Sequence, residues 1–134
     1  MKVSFDHLQI NVSDPAISFP FYRKFLGYLG YKVIHESKEC VGFGNGTTDF
    51  WINKTEDEFK ANKFHRKNTG LNHLALWVDS KEEVGRFYEE FIKSCGIPTL
   101  YETPKYFKEY APDYYAVFFE DPDRIKLEIV HLSK

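Results

Sequence analysis

Little in this sequence points to a secreted, membrane-bound or nucleic-acid-binding protein. It has only two cysteines, Cys40 and Cys95, with no CxxC spacing, so a disulfide framework or zinc knuckle is not expected. Reduced thiols in a cytoplasmic protein are the expected reading. No excess of one charge is present: the formal net charge is −2, without a basic stripe, which argues against a nucleic-acid partner. No apolar run approaches the roughly 20 residues of a membrane span. The opening MKVSFDHLQI alternates polar and apolar residues and lacks the apolar core of a signal peptide. What is abundant is aromatic: thirteen Phe and nine Tyr among 134 residues. They either pack an aromatic-rich core or line a cavity.

The most informative feature is an internal repeat. His7 falls on His73, 66 positions later, and the same offset carries Leu8 to Leu74, Val12 to Val78, Phe21 to Phe87, Tyr22 to Tyr88, Phe25 to Phe91 and Gly30 to Gly96. One ungapped register thus aligns a strand, a helix and a glycine stop. In the first strand Leu8, Ile10 and Val12 share one face, and His7, Gln9 and Asn11 the other; in the second, Leu74, Leu76 and Val78 oppose His73, Ala75 and Trp77. Asp14 caps the first helix, with Pro15 at its first position, and Phe21, Phe25 and Leu29 recur at helical spacing. Ser80-Lys81-Glu82-Glu83 forms a capping box for the second, whose buried stripe is Val84, Phe87, Phe91 and Ile92. Gly30 and Gly96 supply left-handed stops.

Three strands are predicted after each helix: 31–36, 40–44 and 48–53 in the first half, and 97–103, 114–120 and 125–131 in the second. Gly44-Asn45-Gly46 and the segment from Glu120 to Arg124 are turns. Residues 101–112, rich in Tyr, Pro and Lys, read as a loop over a cleft mouth. The chain is then a single α+β domain of two βαβββ modules, 1–53 and 70–134, joined by a charged linker, 54–69, that holds at most a helical turn. Each helix covers one sheet face, and two such sheets side by side would form a cupped mixed sheet lined by the faces bearing His7 and His73. Polar side chains there suit a ligand cleft better than an inert core.

His7 and His73 occupy matching places, so a pseudo-twofold arrangement would bring their imidazoles together. Neutral imidazole ligates Zn, Fe, Ni and Mn. On the last strand Ile125, Leu127 and Ile129 form the apolar face, which turns Glu128 the other way, with Lys126 and Val130. Two His and one carboxylate match a facial-triad metal site with open positions.

The paired halves, with Asp6-His7 opening one and Asn72-His73 the other, resemble the vicinal oxygen chelate superfamily of glyoxalase I, extradiol dioxygenases, fosfomycin-resistance enzymes and bleomycin-binding proteins. The resemblance spans the chain and is most specific at Phe5-Asp6-His7, Asp49-Phe50-Trp51-Ile52, Asn72-His73-Leu74-Ala75-Leu76 and from Tyr114 to Asp123. It implies His7, His73 and Glu128 as ligands of one divalent metal (Fe, Mn, Zn or Ni), acting as a Lewis acid on a small substrate that chelates through two adjacent oxygens. Gln9, Asn11, Trp51, Trp77 and Tyr114 are the expected substrate contacts. Tyr110 and Tyr115 are the expected catalytic hydroxyls. A homodimer is implied as well.

Two departures from the family pattern stand out. Glyoxalase I-type members carry a fourth ligand, a glutamate, where this chain has a residue near Trp51; Asp49 is the nearest carboxylate on that face. Arg124 stands where the family's Asp-Pro-Asp turn continues with Gly, at a cost of order 1 kcal/mol if φ is positive there. The competing expectation is a metal-free drug- or toxin-binding protein of the bleomycin-resistance type, with Trp51 and Trp77 stacking on a planar ligand.

Overall fold

The offset of 66 residues is a repeat of structure. The computed structural model describes residues 1–134. In chain order it contains β1 (His7–Val12), α1 (Pro15–Tyr28), β2 (Lys32–Glu36), β3 (Cys40–Gly44) and β4 (Asp49–Lys54). A 3₁₀ turn (Asp57–Phe59) follows, then β5 (Leu74–Trp77), α2 (Lys81–Phe87) with a π-helical continuation (Tyr88–Lys93), β6 (Thr99–Tyr106), β7 (Tyr115–Glu120) and β8 (Lys126–His131). The chain divides into two compact units, Met1–Lys63 and Phe64–Lys134. Each holds one four-stranded sheet of the same order, β1-β4-β3-β2 in the first and β5-β8-β7-β6 in the second. The first and last strands of each unit pair in parallel and the rest antiparallel. This is the α+β arrangement of two βαβββ modules expected from the repeat.

The helices begin and end where local chemistry requires. Asp14 Oδ1 accepts the Ala16 N–H at 2.9 Å, and Pro15 follows. Ser80, 66 residues later, accepts the Glu83 N–H at 3.2 Å, while Glu83 reaches back to the Asp79 N–H at 2.9 Å, one residue beyond the usual box. Gly30 and Gly96 both take positive φ, +88° and +63°. Tyr31 and Ile97 then return their N–H groups to Leu26 and Ile92 at 2.9 and 3.0 Å.

Burial repeats too. Ser18, Phe25 and Leu26 are buried in α1, and Val84, Phe91 and Ile92 at the same offset in the second helical segment. The α2 stripe is the predicted one. The α1 stripe is turned from the predicted Phe21 and Leu29, which are half-buried, onto Phe19, Tyr22 and Leu26. Burying each such Phe or Leu stabilises by roughly 1.5–3 kcal/mol.

The loop expectation also fails. The predicted loop 101–112 is strand as far as Tyr106. Its register against β7 slips between Leu100 and Lys105, where Tyr101 and Glu102 take φ of +59° and +55°. The bulge is bridged by a side chain: the Thr103 hydroxyl accepts the Phe118 N–H at 3.0 Å and donates to Leu100 O at 2.8 Å. Arg124 does adopt positive φ, +67°, in a turn closed by Asp121 Oδ1, which accepts the N–H groups of Asp123 and Ile125 at 2.9 and 2.8 Å.

Candidate functional site

The sheet of the second unit carries two different faces. Val117, Phe119, Leu127 and Ile129 are buried on the side where α2 packs on β7 and β8, with the Phe87 and Phe119 rings 5.6 Å apart. On the other face Ala116, Phe118 and Val130 cluster with Phe107. Above them opens a cavity of about 510 Å³, lined by His73, Tyr114, Glu128 and Lys126 among others.

Glu128 is the centre of this cavity wall. It is fully buried, and each oxygen meets a different group. Tyr114 donates its hydroxyl to Oε1 at 2.5 Å. His73 Nε2 stands 3.0 Å from Oε2, yet that oxygen accepts no properly directed hydrogen bond. The other ring nitrogen of His73, Nδ1, lies 2.7 Å from Asn72 Oδ1. An amide oxygen only accepts, so Nδ1 carries a proton, and Nε2 is the nitrogen turned toward Glu128. A buried carboxylate oxygen without a directed bond is costly.

This arrangement suits a divalent cation. Two donors each roughly 2.1 Å from one ion, on adjacent coordination positions, stand about 3 Å apart. Within the second unit no third His, Cys, Asp or Glu joins the pair.

Burial pushes the Glu128 carboxyl above its ordinary range, against the opposing pull of the Tyr114 hydroxyl and of His73. Burial, reinforced by the bond to Glu128, raises the Tyr114 hydroxyl far above an ordinary phenol, so it stays a proton donor. Tyr110 lies at the mouth, exposed, with its ring 5.3 Å from Tyr114 and stacked on Phe107 at 5.8 Å.

The remaining candidates are placed as follows. Tyr115 does not line the cavity. It is one residue on from Tyr114, on the side of Val117 and Phe119, and packs edge-on against Tyr106 at 4.9 Å. Trp77 is tied by its Nε1 to the Leu132 carbonyl at 2.9 Å and lies outside the cavity lining. In the first unit His7, Gln9 and Asn11 form one exposed face of β1. His7 Nδ1 is 2.7 Å from Asp6 Oδ2, as His73 is from Asn72. Trp51 lies across Gly42 and 5.7 Å from the His35 ring. Lys105 and Phe107 were absent from the sequence-derived candidates. Their segment reads as loop in the sequence, and only alternation carried through the bulge points Lys105 and Phe107 to the same side.

Registers identify Trp51 as the counterpart of Glu128. Gln9 faces Trp51 on β4, and Ala75, 66 residues after Gln9, faces Glu128 on β8. The first unit therefore has an indole where a fourth ligand would stand, with Asp49 opposite His7.

Comparison with known proteins agrees with this architecture. An uncharacterised protein of Bacillus subtilis (strain 168), YqjT, is 35% identical over 124 residues, covering 92% of this chain and 95% of that one. The crystal structure of a provisionally named glyoxalase from Bacillus halodurans superposes with a TM-score of 0.86 at 41% identity, covering 96% of this chain and 95% of that one. Lactoylglutathione lyase from Agrobacterium tumefaciens shares the fold alone, with a TM-score of 0.71 at 18% identity over 98% of this chain and 95% of that one. The sequence model of the Glyoxalase/Bleomycin resistance protein/Dioxygenase superfamily matches residues 4–129, and the chain belongs to that superfamily.

Proposed function

We propose that this protein is a metal-dependent enzyme of its superfamily that acts on a small oxygenated molecule. The observation that carries this reading is His73 Nε2 standing 3.0 Å from Oε2 of buried Glu128 with no directed hydrogen bond between them, which the reading takes as two ligand atoms, with the proton on Nδ1. His73 and Glu128 would hold one divalent ion, Fe, Mn, Zn or Ni. His7, their partner by the repeat, would complete the set from the same chain or from a second copy in a homodimer. Asp6 and Asn72 orient the two imidazoles through Nδ1, which keeps each Nε2 available.

Bound there, the ion would supply Lewis-acid polarisation to two adjacent substrate oxygens. The chain's own residues do the rest. Tyr114 holds the Glu128 carboxylate in one orientation, and the stacked rings of Phe107 and Tyr110 narrow the wet side of the cavity. Tyr110, exposed at the mouth, is the hydroxyl free to orient a substrate or pass it a proton. Tyr114, not Tyr115, is the tyrosine that lines the cavity, and there it positions Glu128. The missing carboxylate at Trp51 favours a three-ligand, dioxygenase-like set over the lactoylglutathione-lyase set. Unpaired Cys40 and Cys95 fit work in the reducing cytoplasm.

Elemental analysis of protein purified without chelator and loaded with each metal tests the reading. One metal per chain is expected, lost in His73→Ala and Glu128→Ala. A metal-free protein under replete conditions would overturn it. The second reading, a metal-free binder, rests on the aromatic lining of the cavity, and that same outcome would support it.

A further inference from the structure

Two of the three charged side chains lining the cavity are lysines, and neither has a carboxylate partner. Lys126 is two residues from Glu128 on the same face of β8. Its Nζ sits over the rings of Phe118 and Tyr101, at 5.4 and 5.6 Å. The cross-strand neighbour that could pair with it, Glu120, is taken by Arg66 and Arg124. Lys105 Nζ sits over Phe107 at 5.4 Å. Phe107 and Phe118 are themselves in edge contact, 5.3 Å between centroids, so both ammonium groups are seated on one aromatic pair. Both oxygens of Glu128 are directed elsewhere, toward Tyr114 and His73. Two cations against one carboxylate, which Lys126 already feels, leave an excess of positive charge at one concave site. Water screens it poorly between aromatic walls.

We propose that the substrate is a small organic anion, whose carboxylate or similar group is gripped by Lys126 and Lys105 while its other end carries the adjacent oxygens. The flat walls of Tyr101, Phe107 and Phe118 suit a planar, unsaturated body between the two ends. This inference rests on the metal-dependent reading for the chelating end, and the lysine pair is an independent observation for the anionic end.

The test compares 3,4-dihydroxybenzoate with the neutral 3,4-dihydroxybenzamide, binding to zinc-loaded protein by calorimetry at pH 7.5. Both present the same vicinal oxygens, and only the first is an anion. The benzoate is expected to bind about tenfold tighter or more, the worth of one charge-assisted contact. That advantage should shrink with added salt and fall toward unity in Lys126→Met and in Lys105→Met, while benzamide affinity holds. Equal binding of the two probes, or an advantage that survives both substitutions, would overturn the anionic assignment and leave the metal-dependent reading standing. Failure of both probes to bind zinc-loaded protein would overturn that reading, and this inference with it.

Discussion

Trp51 and Glu128 occupy the same station in the two sheets: one faces Gln9 across a parallel strand pair, the other faces Ala75, and Gln9 and Ala75 are 66 residues apart. The two units differ at this point. One keeps a buried carboxylate; the other keeps an indole laid flat over Gly42.

That packing makes the first prediction. A Cβ on Gly42 would lie 2.8 Å from Trp51 Cζ3. Gly42→Ala must displace the ring and is expected to cost roughly 1–3 kcal/mol, as overpacking does. Thermal denaturation measures the loss, and a shift in tryptophan emission reports the moved indole. An unchanged melting temperature would show that the ring gives way freely.

Tyr114→Phe removes the donor to Glu128 Oε1 and leaves a buried acceptor unmatched, at a cost of roughly 1–3 kcal/mol. Metal affinity should fall on the order of 10–100-fold, as when groups that orient ligands are lost. Isothermal titration with zinc checks it. Tyr115→Phe, on the helix-facing side, should leave zinc affinity unaltered.

Glu128→Gln separates stability from function. The amide oxygen can keep the Tyr114 bond, and the new amide N–H₂ can donate to His73 Nε2. The metal-free variant should be as stable as the parent or more so, by about 1 kcal/mol, yet bind no zinc. Marked destabilisation without metal would show that the carboxylate is already well satisfied.

Acid behaviour is set in part by Asp113, which accepts the Ser133 N–H at 2.7 Å and ties the end of the chain to the segment before Tyr114. The hydroxyl and N–H of Ser133 hold its carboxyl below the ordinary aspartate range. The folded value is depressed, so its contribution is present above the ordinary aspartate pKa and is lost as pH falls through the lower one. NMR titration of the carboxyl carbons should show Asp113 protonating below its peers in the parent, and at the ordinary position in Ser133→Pro.

Much of this was legible in the sequence because the same rules operate twice. The caps Asp14 and Ser80, the stops Gly30 and Gly96, and the face shared by Lys126 and Glu128 each follow from local periodicity and side-chain chemistry. Alternation failed where both faces of a strand are apolar. In Tyr-Tyr-Ala-Val-Phe-Phe either tyrosine could have faced the cavity, and only the β7–β8 register assigns Tyr114 to it. The first half of β6 follows from the predicted strand 97–103, but its end reads as loop because a bulge with two left-handed residues and Pro104 interrupts the alternation. On α1, aromatic residues flank the stripe on both sides, so its centre was misjudged by about one residue.

The central claim concerns one proton. Long-range ¹H–¹⁵N correlation of the His73 ring, before and after zinc, reads it directly. Nδ1 should be protonated and Nε2 bare in the metal-free protein near pH 7.5, with zinc moving the Nε2 resonance and leaving Nδ1 in place. A proton on Nε2, donated to Glu128 and undisturbed by zinc, would contradict the account.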